Sequence, residues 1–152
     1  MNEFFSLINK KMPFVEYLQP NDLPNPQYPA IKLACQLFHA YIPLFNENFD
    51  LVKDEKFRKL IKKYHAFILL DNSKGRRIKE SKASFMEKID ILLNYGLNDI
   101  ALYGGFGPNS LKIYFELRHY YKFNFSIGAQ TNLQTNGAVD LEKVKAYLSE
   151  LI

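Results

Sequence analysis

Asp71, the glycine pair Gly104-Gly105 and the pair Ser126 and Gly128 are the residues whose types and spacing could do chemistry in this chain. Each stands where an apolar run stops: Ala66-Phe67-Ile68-Leu69-Leu70 before Asp71, Ile100-Ala101-Leu102-Tyr103 before Gly104, and Phe123-Asn124-Phe125 before Ser126. Glycine lets the main chain approach a ligand closely, and amides left free where a strand gives way to a helix suit an anion. The stretch Gly104-Gly105-Phe106-Gly107-Pro108-Asn109-Ser110, ahead of a helical pattern over 111–121, therefore reads as a phosphate cradle. The plain alternative is a loop whose glycines serve only its turn geometry. A carboxylate closing a buried apolar run needs a partner or a job, so Asp71 reads either as a proton donor or as the residue that orients the loop after it.

Other chemistry is sparse. His39, His65 and His119 have no carboxylate or cysteine at metal-ligand spacing, so no metal site is expected. Cys35 is the only cysteine, which excludes an internal disulfide, points to a reducing compartment and reads as a core thiol. Tyr114, Phe115, Tyr120, Tyr121, Phe123 and Phe125 could stack on bases, but their pattern reads first as core packing. No Walker, Rossmann, zinc-finger or serine-hydrolase signature is present, and no cofactor is expected.

The elements that must position these residues follow from periodicity. A short amphipathic helix is expected over 2–11 and an alternating strand over 14–19, then an extended loop over 20–29 imposed by Pro20, Pro24, Pro26 and Pro29. Ile31, Ala34, Cys35, Phe38 and Tyr41 have helical spacing, and 41–45 is a brief apolar segment in which Pro43 argues for an edge or an end. Phe57, Leu60, Ile61 and Tyr64 define a charged-outside helix with acid at its start. A strand buried on both faces is expected over 66–70, then a long polar loop, then a helix over 85–95 ended by Gly96. The strand over 100–103 and its helix come next, a strand over 123–129 follows, and the closing helix over 140–151 puts Leu141, Val144, Tyr147, Leu148 and Leu151 on one face.

Three strands each followed by a helix make parallel (β/α) units, so the fold is expected to be α/β, with ligands at the carboxyl ends of the strands. The 152 residues are expected to form one domain with room for about five such units. The formal charge of +4 is modest, and the basic stretches 53–63 and 74–82 read as solvated faces, so nucleic acid is not an expected partner. No apolar run approaches the ~20 residues that span a bilayer, and the N-terminus makes a poor signal peptide. A cytoplasmic protein without a membrane partner is expected.

The order ILLDNS, ALYGGFGPNSL, FNFSIGAQ and NGAVDLEKVKAYL resembles the C-terminal part of phosphoribosylanthranilate isomerase, a (β/α)₈ barrel enzyme of tryptophan biosynthesis that performs an Amadori rearrangement. The resemblance covers 65–152 best, extends more weakly to Phe14, and implies a partial TIM-type barrel, since a complete one needs about 200 residues or more. It implies that Asp71 is the general acid, that Gly104, Gly105, Ser126 and Gly128 bind phosphate, and that Gly137 and Asp140 precede the last helix. It also implies substrate contact at Asn124 and Gln130, which replace an aspartate and a glutamate of the family; Ile127 replaces a serine. The family's cysteine base has no counterpart here, and Lys74-Gly75-Arg76-Arg77 replaces a glycine-rich loop. A protein is implied that binds a phosphorylated ribose derivative and isomerises it only if the missing units and base are supplied. An uncovered parallel strand invites self-association or a chain completing the barrel. The alternatives are a non-catalytic phosphate-binding module and a fragment of a nicotinate-nucleotide pyrophosphorylase-like barrel, which ILLDN, the glycine pair and FSIGAQT also resemble.

Overall fold

The computed structural model describes residues 17–18, 31–32, 35–36, 39–71, 81–123 and 125–152. The helix expected over 2–11, the proline loop over 20–29, the loop residues 72–80 and Asn124 lie outside the described residues. The chain is α/β with parallel strands, and it divides into two compact units, Met1–Leu69 with Leu92–Asp99 and Leu70–Ile91 with Ile100–Ile152.

In the first unit, strand β1 (Tyr17–Leu18) pairs in parallel with β2 (His39–Leu44), Tyr17 opposite His39 and Leu18 opposite Ala40. Ile31, Lys32, Cys35 and Gln36 are helical as their spacing predicts, but the chain is already a strand at His39, so Tyr41 is not a helical residue. Its ring instead stacks on Phe67 with centroids 4.9 Å apart. Pro43 would break a helix, and in β2 it sits beyond the two residues paired with β1. Cys35 is buried, and that burial pushes its thiol up to about 11, which makes it an inert core group.

A 3₁₀ segment (Asn46–Lys53) leads to α1 (Glu55–Tyr64), whose first turn is capped by the Asp54 carboxylate accepting the Lys56 amide at 2.7 Å. Phe57 and Ile61 form its buried stripe. The helix stops at His65, which adopts a left-handed conformation (φ 49°), while the Ala66 amide reaches back to the Ile61 carbonyl. In β3 (Phe67–Leu70) Ile68, Leu69 and Leu70 are all fully buried, as a strand covered on both faces requires. Helix α2 (Lys82–Asn94) ends at Gly96 (φ 66°), where Gly96 and Leu97 amides return to the Leu93 and Leu92 carbonyls.

In the second unit, β4 (Ile100–Leu102) is wholly buried and runs parallel to β5 (Ser126–Ile127), with Ala101 opposite Ser126 and Leu102 opposite Ile127. The strand expected over 123–129 is thus confined to two residues, because the chain on either side leaves the ladder. Ser81 caps the start of α2, which buries Phe85 and Ile89. Helix α3 (Lys112–Tyr121) buries Tyr114 and Leu117, and its Tyr121 hydroxyl donates to Asp90 Oδ1 at 2.7 Å. Only Tyr147 of the apolar face expected on the last helix, α4 (Leu141–Leu151), is buried; Leu141 and Leu148 are exposed. Among the described residues no helix is long and apolar enough to cross a membrane.

Asn136-Gly137, both at positive φ, forms a two-residue hairpin turn between β6 (Gln134–Thr135) and β7 (Ala138–Val139). Asp140 then caps α4, one oxygen accepting the Glu142 and Lys143 amides and the other the Thr135 hydroxyl at 2.6 Å. The Thr135 hydroxyl first, then the Lys143 and Glu142 amides, hold this carboxyl below its ordinary value. A depressed folded value stabilises fully above the unfolded value and is lost as pH falls through the folded one. In urea titrations from about pH 4 to about pH 2, stability should therefore fall more steeply in the native chain than in Asp140→Asn. Parallel acid limbs would contradict this role.

Candidate functional site

Three strand ends lie side by side in the second unit. The Tyr103 amide donates to the Leu70 carbonyl at 2.9 Å, and the Gly128 amide donates to the Leu102 carbonyl at 3.0 Å. The residues that follow these ends, Asp71, then Tyr103 to Phe106, then Gly128 to Asn132, line one small open-mouthed hollow with about 30 Å³ of room inside it. Five of the seven residues singled out in the sequence bear on it directly: Asp71, Gly104, Gly105, Gly128 and Gln130. Ser126 does not line it; it is half-buried within β5. Asn124 lies outside the described residues.

The glycine turn takes its shape from φ 111° at Gly104 and φ 79° at Gly105, values that a residue with a Cβ adopts only under strain. Two polar side chains fix it. Ser110 Oγ accepts the Gly107 amide at 2.7 Å and lies 2.8 Å from the Gly107 carbonyl. Asn132 Nδ2 crosses from the other loop and donates to the Gly105 carbonyl at 2.6 Å, so the two glycine-bearing ends are tied to each other. The crossing needs Gly107 to be glycine, because a Cβ there would come 2.6 Å from Asn132 Cβ. Phe106 anchors the turn below, buried and stacked on Phe85 at 5.9 Å.

Among the described residues, the amides of Gly104, Gly105, Phe106, Ala129 and Gln130 form no hydrogen bond within the protein. Five unbonded amides around one hollow are a donor set for an anion. The expected contribution from the following helix is not made: α3 begins only at Lys112, and residues 107–112 do not line the hollow. The turn itself, and not a helix dipole, supplies the polarity. Gly128 also has a different job from the expected one. Its amide is spent on the Leu102 carbonyl, and its missing side chain makes room for the Tyr103 ring, which a Cβ would overlap.

Two tyrosines of the second unit, Tyr114 and Tyr147, are buried. Tyr114 donates to the Phe125 carbonyl at 3.4 Å, and the buried Tyr147 hydroxyl has no partner among the described residues. Burial first, then the nearby Tyr103 and Tyr114, push the Tyr147 hydroxyl up to about 12. Asp71 is the only acidic or basic side chain of the described lining, whose other polar side chains are those of Tyr103, Gln130, Thr131 and Asn132. Among the described residues no group of His, Cys, Asp or Glu could hold a metal ion.

Phe106 belongs to the expected cradle stretch, whereas Tyr103, Ala129, Thr131 and Asn132 carry no site reading in the sequence. Tyr103 had a usable signal in its place between a buried strand and a glycine pair; Asn132 had none, because its bond spans 27 residues. Compared with known proteins, the chain matches no family model, no curated protein and no solved structure.

Proposed function

We propose that the hollow binds the phosphoryl group of a ribose 5-phosphate derivative and that the chain is a phosphoribosylanthranilate isomerase-like protein built on part of a TIM-type barrel. One observation carries this reading: unbonded amides from two successive strand ends line one hollow with a carboxylate, Asp71, beside them. The ligand's phosphoryl oxygens accept from these amides, and Asp71 faces the sugar. In the isomerisation, Asp71 acts as the general acid that delivers a proton to the ring oxygen as the C1–O bond breaks, leaving an iminium ion. Loss of the C2 proton to a base then yields the enol, which tautomerises to the ketone. The base comes from outside the described lining, since no second acidic or basic side chain is found there. This favours a second reading, a phosphate-binding module that does not turn over alone. A cytoplasmic setting suits the lone buried thiol. Exposed Val139, Leu141, Leu148 and Ile152 support self-association, which sedimentation would report as a dimer; a monomer at high concentration would remove that part of the reading.

Titrating the purified chain with phosphoribosylanthranilate while following its isomerisation separates the roles. Binding without turnover, within about threefold in Asp71→Asn, is expected of the chain alone. Turnover that falls by about 100-fold or more in Asp71→Asn would make it a complete enzyme. Preference for nicotinate mononucleotide would favour the pyrophosphorylase-like alternative, and binding of neither would sink the phosphate site.

A further inference from the structure

Helix α3 carries two large aromatic side chains on its solvent side, Phe115 at 38% exposure and Tyr120 at 63%. Both were expected in the core. They border two adjoining depressions that share Phe115 and His119. Lys82, Lys112, Glu116 and Tyr120 complete the first, and Arg118 and Lys122 complete the second. The described lining is positive: its one carboxylate, Glu116, is already engaged by Lys82 at 2.8 Å and Lys112 at 3.9 Å. Arg118 and Lys122 form no ion pair among the described residues. None of these residues lines the hollow.

We propose that this face of α3 docks an acidic amphipathic helical segment of another protein. Charge complementarity selects the occupant. A second copy of this chain would set cations against cations, which disfavours association. The two depressions adjoin on one side of this ten-residue helix and share the Phe115 ring as a wall. Neighbouring apolar side chains on one face of a partner helix fill these adjoining depressions, and carboxylates flanking them meet Arg118 and Lys122. A single-stranded nucleic acid would cover only two or three nucleotides here, too few phosphates for the counterion release on which its binding depends.

A display library of random 16-residue peptides panned against the full chain tests this. Selected peptides should combine two or more Asp or Glu with Leu or aromatic residues at helical spacing. Their binding should weaken at least tenfold in both Tyr120→Ala and Arg118→Glu, two exposed substitutions whose folding is checked by circular dichroism, with Lys122→Glu as a third. No selected binders, binders without acidic residues, or binders indifferent to all three substitutions would overturn the proposal. So would a ten-nucleotide oligothymidylate that binds the same face with steep salt dependence.

Discussion

Replacing Gly105 by aspartate should lower affinity for ribose 5-phosphate by at least about 100-fold while leaving the chain folded. Two effects combine. Gly105 sits at φ 79°, where a residue with a Cβ is strained by about 1–2 kcal/mol. Aspartate tolerates that region better than most residues, so folding survives. The larger effect is charge: a carboxylate about 5 Å from a bound phosphate, at an effective dielectric near 20, is repelled by about 3 kcal/mol per pair of unit charges. Gly105→Ala introduces the strain without the charge, so isothermal titration should place it between the native chain and Gly105→Asp. Equal affinities in all three would mean that the phosphoryl group binds elsewhere. Asn132→Ala, which removes the 2.6 Å bond to the Gly105 carbonyl, should weaken binding more modestly, by the net value of one hydrogen bond, about 1 kcal/mol or severalfold.

The second large effect concerns stability. Gly128→Ala places a methyl group where the Tyr103 ring already lies, so either the ring must turn into the hollow or β5 must shift away from β4. Overpacking of this kind costs about 1–3 kcal/mol, which in a chain of this size lowers the melting temperature by several degrees. If the overlap with Tyr103 is the cause, truncating the ring removes it. In a double-mutant cycle, Gly128→Ala should cost little in a Tyr103→Ala background, with a coupling above about 1 kcal/mol. Additive losses would show that Gly128 is needed for some other reason, such as its own backbone geometry.

The same glycine illustrates what could be read from the sequence. A glycine closing a strand was legible as a place of close approach, yet the group that approaches is a ring of this protein, 25 residues upstream, and not a ligand. Local signals carried the fold: the unbroken apolar run Ile68-Leu69-Leu70, the Asp54 cap, and the Gly96 stop are all set by residues within one turn or one strand. Asn136-Gly137 is an equally local hairpin signal, with both residues at positive φ. Where the outcome depended on distant packing, periodicity misled. Tyr41 fits a helical spacing but stacks on Phe67 from a strand. Phe115, Tyr120, Leu141 and Leu148 fit core stripes, yet each faces solvent, because periodicity states which residues share a face and not whether anything covers it. The site was legible as a set of strand ends but not as a set of donors, since which amides remain unbonded depends on bonds such as that from Asn132.

Backbone amide resonances of the isotope-labelled chain, followed during titration with ribose 5-phosphate, test the central claim most directly. Gly104, Gly105, Phe106, Ala129 and Gln130 should shift together along one saturation curve, and Gly105→Asp should abolish every one of these shifts. Shifts confined to one of the two turns, shifts centred on Arg118 and Lys122, or no saturable shift at all would contradict it.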